Sequence, residues 1–136
     1  MTRFVVGLDG SENSSRAAAV AARLARDCGG SILAVHAVGL LERLGPAGGR
    51  RSIRLVHQEI ESTMTSAWCA PFSGLDLVSR VVDGNPITVL LDAADRSDDV
   101  IVVGRRGAGH HAGSALGSTS AQVVERSHRP VLVVPD

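Results

Sequence analysis

The run Val100-Ile101-Val102-Val103-Gly104-Arg105-Arg106-Gly107 decides the fold. An unbroken stretch of β-branched residues, too short for a helix, suits a strand buried on both faces. It stops at a glycine, and a second glycine follows three residues later. Such a pair lets the backbone turn sharply and approach another group closely. A strand of this kind belongs at the centre of a parallel sheet covered by helices, and the rest of the chain supplies the remainder of that sheet.

Upstream, β-rich runs occur at Arg3-Phe4-Val5-Val6-Gly7-Leu8, at Ser31 to Val38 and at Asp76 to Val82. Downstream, Val131-Leu132-Val133-Val134 forms a last one after Arg129-Pro130. Between them lie helical patterns. Ala17, Val20, Ala21, Leu24 and Cys28 follow the spacing of one helix face, closed by Gly29-Gly30. Ile53, Val56, Ile60, Met64 and Ala67 mark a second helix ending near Trp68. Asn85-Pro86 starts a third, with Asn as N-cap and Pro at the first helical position, and Ile87, Leu90, Leu91 and Ala94 on its apolar face. A fourth runs from about Ser118 to Ser127.

Strands alternating with helices predict one α/β domain over residues 1–136. Ser79 and Arg80 in the third strand place it at a sheet edge, since a strand buried on both faces tolerates an arginine poorly. Right-handed crossovers then give a five-stranded parallel sheet of order 3-2-1-4-5, flanked by four helices in a Rossmann-like arrangement. The order reverses between strands one and four, where open sheets of this kind bind ligands.

Composition narrows the partners. The chain is 44% hydrophobic but only 2% aromatic, so its core is aliphatic. Fourteen basic and fourteen acidic residues cancel, which gives no general reason to expect nucleic acid or an anionic membrane. Every basic residue is arginine. Without lysine, Schiff-base catalysis and a P-loop lysine are excluded. Gly10 stands alone where a dinucleotide fingerprint would need G-x-G-x-x-G. Cys28 and Cys69 lack metal-binding spacing and read as small buried hydrophobes in a reducing compartment. No cleavable signal or membrane-length apolar stretch is seen, so a soluble, cytoplasmic protein is expected.

The chemistry concentrates in Gly104-Arg105-Arg106-Gly107 and, nine residues on, Gly117-Ser118-Thr119-Ser120. Gly117 sits where a helix begins, and there unpaired N–H groups and the positive dipole end favour an anion. Ser118, Thr119 and Ser120 add hydroxyl donors. The competing reading is a surface loop, rich in glycine because nothing packs on it. Placement after the central strand favours the anion cradle.

These segments resemble the universal stress protein family. Gly104, Gly107, Gly117 and Ser118 match the signature G-x2-G-x9-G-[S/T] of its ATP-binding members, and Val6-Gly7-Leu8-Asp9-Gly10-Ser11 is similar to its opening motif. Arg129-Pro130-Val131-Leu132-Val133-Val134-Pro135 is similar to its closing strand. The resemblance implies an adenine nucleotide alpha hydrolase-like fold and an ATP site. In that site Asp9 lies near adenine and ribose, Gly7 and Leu8 line the same wall, and Ala37 contacts the base. Val103 and Gly104 border the ribose and phosphate path, while Gly107, Gly117, Ser118, Thr119 and Ser120 hold the phosphates. It further implies a homodimer, formed through Val131–Val134, in a stress-response role.

The sequence shows no general base aimed at water, so binding without fast chemistry is expected. One alternative is a slow ATPase or nucleotidyl-transfer enzyme on the same fold, with Asp9 and Mg²⁺ polarising a phosphate. Another is a nucleotide-free interaction module. Arg105 and Arg106 read equally as γ-phosphate contacts or as solvated loop residues. His110-His111 lack the further ligands of a metal site. His36 reads as a hydrogen-bonded core residue, Asp98-Asp99 as closing a turn, and Asp92 and Asp95 as a solvated helix face. The stretch from Gly39 to Arg51 bears on how the base pocket opens.

Overall fold

A computed structural model of the chain describes residues 1–39, 52–106 and 116–136. These residues form strands β1 (Arg3–Gly7), β2 (Ser31–Val38), β3 (Leu77–Asp83), β4 (Asp99–Gly104) and β5 (Val131–Val134). The α-helices are α1 (Glu12–Cys28), α2 (Ile53–Thr63), α3 (Pro86–Ala93) and α4 (Ser118–Arg126). All strand pairs are parallel, in the order β3-β2-β1-β4-β5. This is the order that right-handed crossovers require. β3 lies at an edge, with Ser79 and Arg80 exposed.

Strand alternation divides the core into two layers. Phe4, Val6, Ile32, Ala34 and Val102 join residues of α1, Met64 and Phe72 on one face. Val5, Leu33, Val35, Ile101 and Val103 join Ile87, Leu90 and Val123 of α3 and α4 on the other. The central strands β1 and β4 therefore carry apolar residues on both sides, which is why their sequence is unbroken rather than alternating.

Helix α1 departs from its predicted face. Its buried residues are Ser14, Ala17, Ala18, Ala21, Ala22 and Ala25. Val20 and Leu24 only flank them. Small side chains let the helix lie close to the sheet, so the larger residues move to the rim. The same rotation leaves Cys28 exposed, correcting the expectation of a buried thiol, whereas Cys69 is buried. Ser11 caps the helix by accepting from the Ser14 amide at 3.2 Å, and Gly29 ends it with φ 70°.

Helix α2 continues into a π-helical turn, Met64–Trp68, and a 3₁₀ turn, Ala70–Phe72. Arg26 of α1 fastens this corner by donating to the Pro71 and Ser73 carbonyls at 2.8 and 2.9 Å. Helix α3 begins as predicted, with the Asn85 side chain accepting from the Ile87 amide at 2.8 Å.

Below the sheet, Asp99 closes its turn by accepting from the Arg96 amide at 2.9 Å. It also does more than the sequence suggested. Arg3 Nε and Nη2 grip its two carboxylate oxygens at 2.8 and 2.7 Å, with side-chain exposures of 8% for Arg3 and 0% for Asp99. Arg3 Nη2 further donates to exposed Asp95 at 3.0 Å. Burial by itself would raise the Asp99 carboxyl, but the hydrogen bonds from Arg3 and Arg96 outweigh it and hold the group below its ordinary range.

Candidate functional site

β1 is followed by β2 on one side and β4 by β5 on the other, so the connections leaving the C-terminal ends of β1 and β4 run in opposite directions. A cavity of about 270 Å³ opens there. Of the residues expected from sequence, Gly7, Leu8, Asp9, Ala37, Val103, Gly104, Thr119 and Ser120 line it. Gly117 and Ser118 are not among the lining residues, although they begin the helix that delivers Thr119 and Ser120. Gly107 and His110-His111 lie outside the described residues, as does the 39–51 stretch beyond Gly39. Gly39 itself lines the cavity.

The floor is set by the entry to α1. Asp9 accepts from the Ser11 amide at 2.9 Å, and Ser14 Oγ donates to the Ser11 carbonyl at 3.1 Å while approaching the Asp9 amide at 3.3 Å. These bonds hold Asp9 at the mouth, exposed.

The opposite end is the start of α4. Its N-cap is Gly117, which has no side chain of its own to cap the helix. Backbone donors of the first helical turn are thus presented at the cavity beside Thr119. Arg105 positions this terminus: its carbonyl accepts from the Gly117 amide at 2.8 Å and from Ser120 Oγ at 2.7 Å. Ser120 is therefore a fastener as well as a wall, and its 3% exposure agrees. Arg106 follows directly, lines the cavity and donates through Nη2 to Asp136.

Sequence reasoning missed one wall. Pro86, Val89 and Leu90 of α3 close the cavity over Ala37 and Val35. The signal was present, because a helix leading out of a parallel strand starts at the strand's C-terminal end, and Asn85-Pro86 marked that start. His36 was read as a hydrogen-bonded core residue and is one, 5% exposed with Nδ1 at 2.6 Å from the Leu8 carbonyl. A carbonyl can only accept, so Nδ1 carries the hydrogen. The ring also lines the cavity. The ring also packs near Trp68, at 5.1 Å between ring centroids and tilted by 60°. A Cβ on Gly10 would stand 2.8 Å from the indole, and Gly10 also has φ +81°. Glycine is doubly required there.

Among the described residues no group of three His, Cys, Asp or Glu side chains is placed to hold a metal, and no helix is long and apolar enough to cross a membrane.

The universal stress protein family model matches residues 1–135. The chain belongs to this family. This universal stress protein is 32% identical over 134 residues to "Universal stress protein in QAH/OAS sulfhydrylase 3'region" of Thermus aquaticus, an alignment covering 96% of each chain. In three dimensions it is similar to the universal stress protein UspA of Lactobacillus plantarum, with a TM-score of 0.74, 22% identity and coverage of 98% of this chain and 97% of the other. That likeness concerns the fold. A universal stress protein solved in complex with cAMP is 30% identical, with a TM-score of 0.66 and coverage of 98% and 96%. One from Archaeoglobus fulgidus, solved in complex with dAMP, gives a TM-score of 0.64 at 23% identity, with coverage of 98% and 97%. The family resemblance read from the glycine signature and the two flanking strands thus extends over the whole fold.

Proposed function

We propose that this universal stress protein binds an adenine nucleotide, ATP in the first instance, as a regulatory ligand in a stress-response role. The observation that carries the reading is the polarity gradient along one cavity. At one end Ala37, Val89 and Leu90 form an apolar slot fit for a base; at the other the α4 terminus, which begins at a glycine, and Thr119 offer donors fit for phosphates. Asp9 stands at the mouth, where a carboxylate can accept from ribose hydroxyls without crowding the phosphates. Gly7, Leu8, Val103 and Gly104 shape the path, and Gly117 and Ser118 begin the helix that brings Thr119 and Ser120 to the phosphate end. The relatives in complex with cAMP and dAMP support adenine as the base.

Binding rather than turnover is the role the hydroxyls suit. Ser14 Oγ donates to Ser11 and Ser120 Oγ to Arg105, so both hydrogens are committed to backbone carbonyls. Mg²⁺ would accompany ATP through the phosphates.

Isothermal titration of nucleotide-stripped protein with ATP tests the reading. Saturable binding is expected, weakened about tenfold by Thr119→Val or Asp9→Ala, as loss of a hydrogen bond to a charged or fully desolvated group implies. Absence of binding at millimolar ATP overturns it.

We also propose a homodimer through β5. This strand ends the sheet, so one row of its backbone groups has no partner within the sheet. Pairing with the same strand of a second copy satisfies that row about a two-fold axis.

A further inference from the structure

We propose that a second cavity, between β3 and α3, binds a small zwitterion of the aliphatic α-amino acid class, its carboxylate on Arg80 and its ammonium on Asp92. This site is separate from the nucleotide cavity and does not depend on the function given to that cavity.

The cavity arises because α3 is seated over β2 and β1 and leaves one face of β3 uncovered. Val78, Arg80 and Val82 alternate onto that face, and all three are exposed. Strand register sets Arg80 beside Val35 of β2. The resulting groove encloses about 290 Å³, at the small end of ligand pockets. Arg80 and Val82 form one wall, Thr88 and Asp92 the other, and the buried Val35 and Val89 lie between them. Thr88 and Asp92 are four residues apart on α3 and so share a face. The turn from β3 into α3 closes one end, where the Gly84 amide donates to the Val38 carbonyl at 3.1 Å.

A guanidinium and a carboxylate thus line one groove, and among the described residues neither Arg80 nor Asp92 is in an ion pair. A further carboxylate on the lining, Asp83, is engaged by His57 Nε2 of α2 at 2.8 Å. Ligands of a single charge fit this pattern poorly. An anion gains Arg80 but meets Asp92, and a cation gains Asp92 but meets Arg80. A zwitterion satisfies both. Its carboxylate takes the parallel N–H bonds that a guanidinium offers, and its ammonium donates to Asp92. An aliphatic side chain then covers Val35, Val82 and Val89, taking apolar surface of ligand and protein out of water together.

Titrations with L-leucine, with isocaproate, which lacks the ammonium, and with isopentylamine, which lacks the carboxylate, test the site in wild type, Arg80→Gln and Asp92→Asn. Binding is read from amide chemical shifts, and thermal melts check that both variants fold. Leucine should saturate in the millimolar range, shift the amides of Arg80, Val82 and Thr88, and bind more tightly than either analogue. Each substitution should weaken leucine about threefold to fivefold, the range of an exposed ion pair. By contrast, Asp92→Asn should tighten isocaproate and Arg80→Gln should tighten isopentylamine, because each removes a repulsion. Absence of saturable leucine binding overturns the inference, as does an analogue that binds wild type as tightly as leucine. Leucine affinity unchanged in either variant, or shifts confined to the residues around Asp9 and Gly104, overturns it as well. The nucleotide reading is untouched by any of these outcomes and is decided by its own titration with ATP.

Discussion

Gly104 lies against the backbone of Asn13: a Cβ on residue 104 would stand 2.8 Å from the Asn13 carbonyl oxygen and 2.9 Å from its Cβ. The first glycine of the signature is thus required by packing between β4 and the first turn of α1. A backbone contact of this kind can relax only by moving the helix, and α1 lies close because its buried face is mostly alanine.

Gly104→Ala should accordingly destabilise the fold by about 1–3 kcal/mol, the usual cost of overpacking. Urea unfolding should show a lower midpoint with an unchanged slope. A variant with wild-type stability and lost nucleotide affinity would instead mean that Gly104 is glycine for the ligand's sake.

Trp68 is the sole tryptophan, and it touches His36, which lines the cavity. Its emission should therefore change on saturation with ATP, and Trp68→Phe should remove the signal. A silent titration, at concentrations where calorimetry shows binding, would place the ligand away from the His36 wall.

The contrast between these two residues shows what the sequence could express. Strand runs, the Asn85-Pro86 start and the Gly29 stop are local chemistry, and they were legible to within a residue or two. So was the strand order, because Arg80 marked an edge and crossover handedness did the rest. Relationships across long separations were not legible. Nothing in the chain says that the turn after α2 returns Trp68 to His36, or that Arg3 meets Asp99. Nor could periodicity separate a glycine needed for ligand approach from one needed for helix packing. The Cys28 expectation failed for a related reason: large apolar residues dominate a sequence pattern, whereas close packing selects small ones.

Arg3 and Asp99 give the fold an acid-sensitive tie. The native Asp99 carboxyl sits below its ordinary value, so the unfolded chain binds its proton first as pH falls. The stabilisation is complete above about pH 5 and is lost from around pH 4 downward, as the pH passes through the lowered native value. Asp99→Asn should cost about 3 kcal/mol at neutral pH, the low end for breaking a buried pair, since Asp95 still faces Arg3. Melts across pH 3–7 should show the variant's stability varying less with pH than that of wild type. Parallel profiles would show that Asp99 does not carry the acid transition.

The two thiols should separate cleanly by reactivity. Cys28 is exposed, whereas burial raises the Cys69 thiol and keeps it protonated. A disulfide reagent at pH 8 should therefore titrate one equivalent in native protein and a second only in denaturant. Cys28→Ser should abolish the fast equivalent. Two fast equivalents would mean that the corner carrying Cys69 opens readily.

The β5 edge allows the dimer to be tested without disturbing the monomer. Ile101 donates to the Pro130 carbonyl at 2.9 Å and Arg105 to the Val134 carbonyl at 2.8 Å, so even-numbered residues of this strand face β4. Backbone groups alternate sides along a strand, and the amides of Val131 and Val133 therefore point outward. Val133→Pro removes one outward donor and sets a ring where a second strand must approach, while the inward ladder keeps its bonds. Sedimentation at micromolar concentration should show wild type as a dimer and Val133→Pro as a monomer, with similar far-ultraviolet circular dichroism. A wild-type monomer excludes the dimer; a dimer that survives Val133→Pro moves the interface off β5, because two edge strands cannot close a ladder across a missing donor and a proline ring.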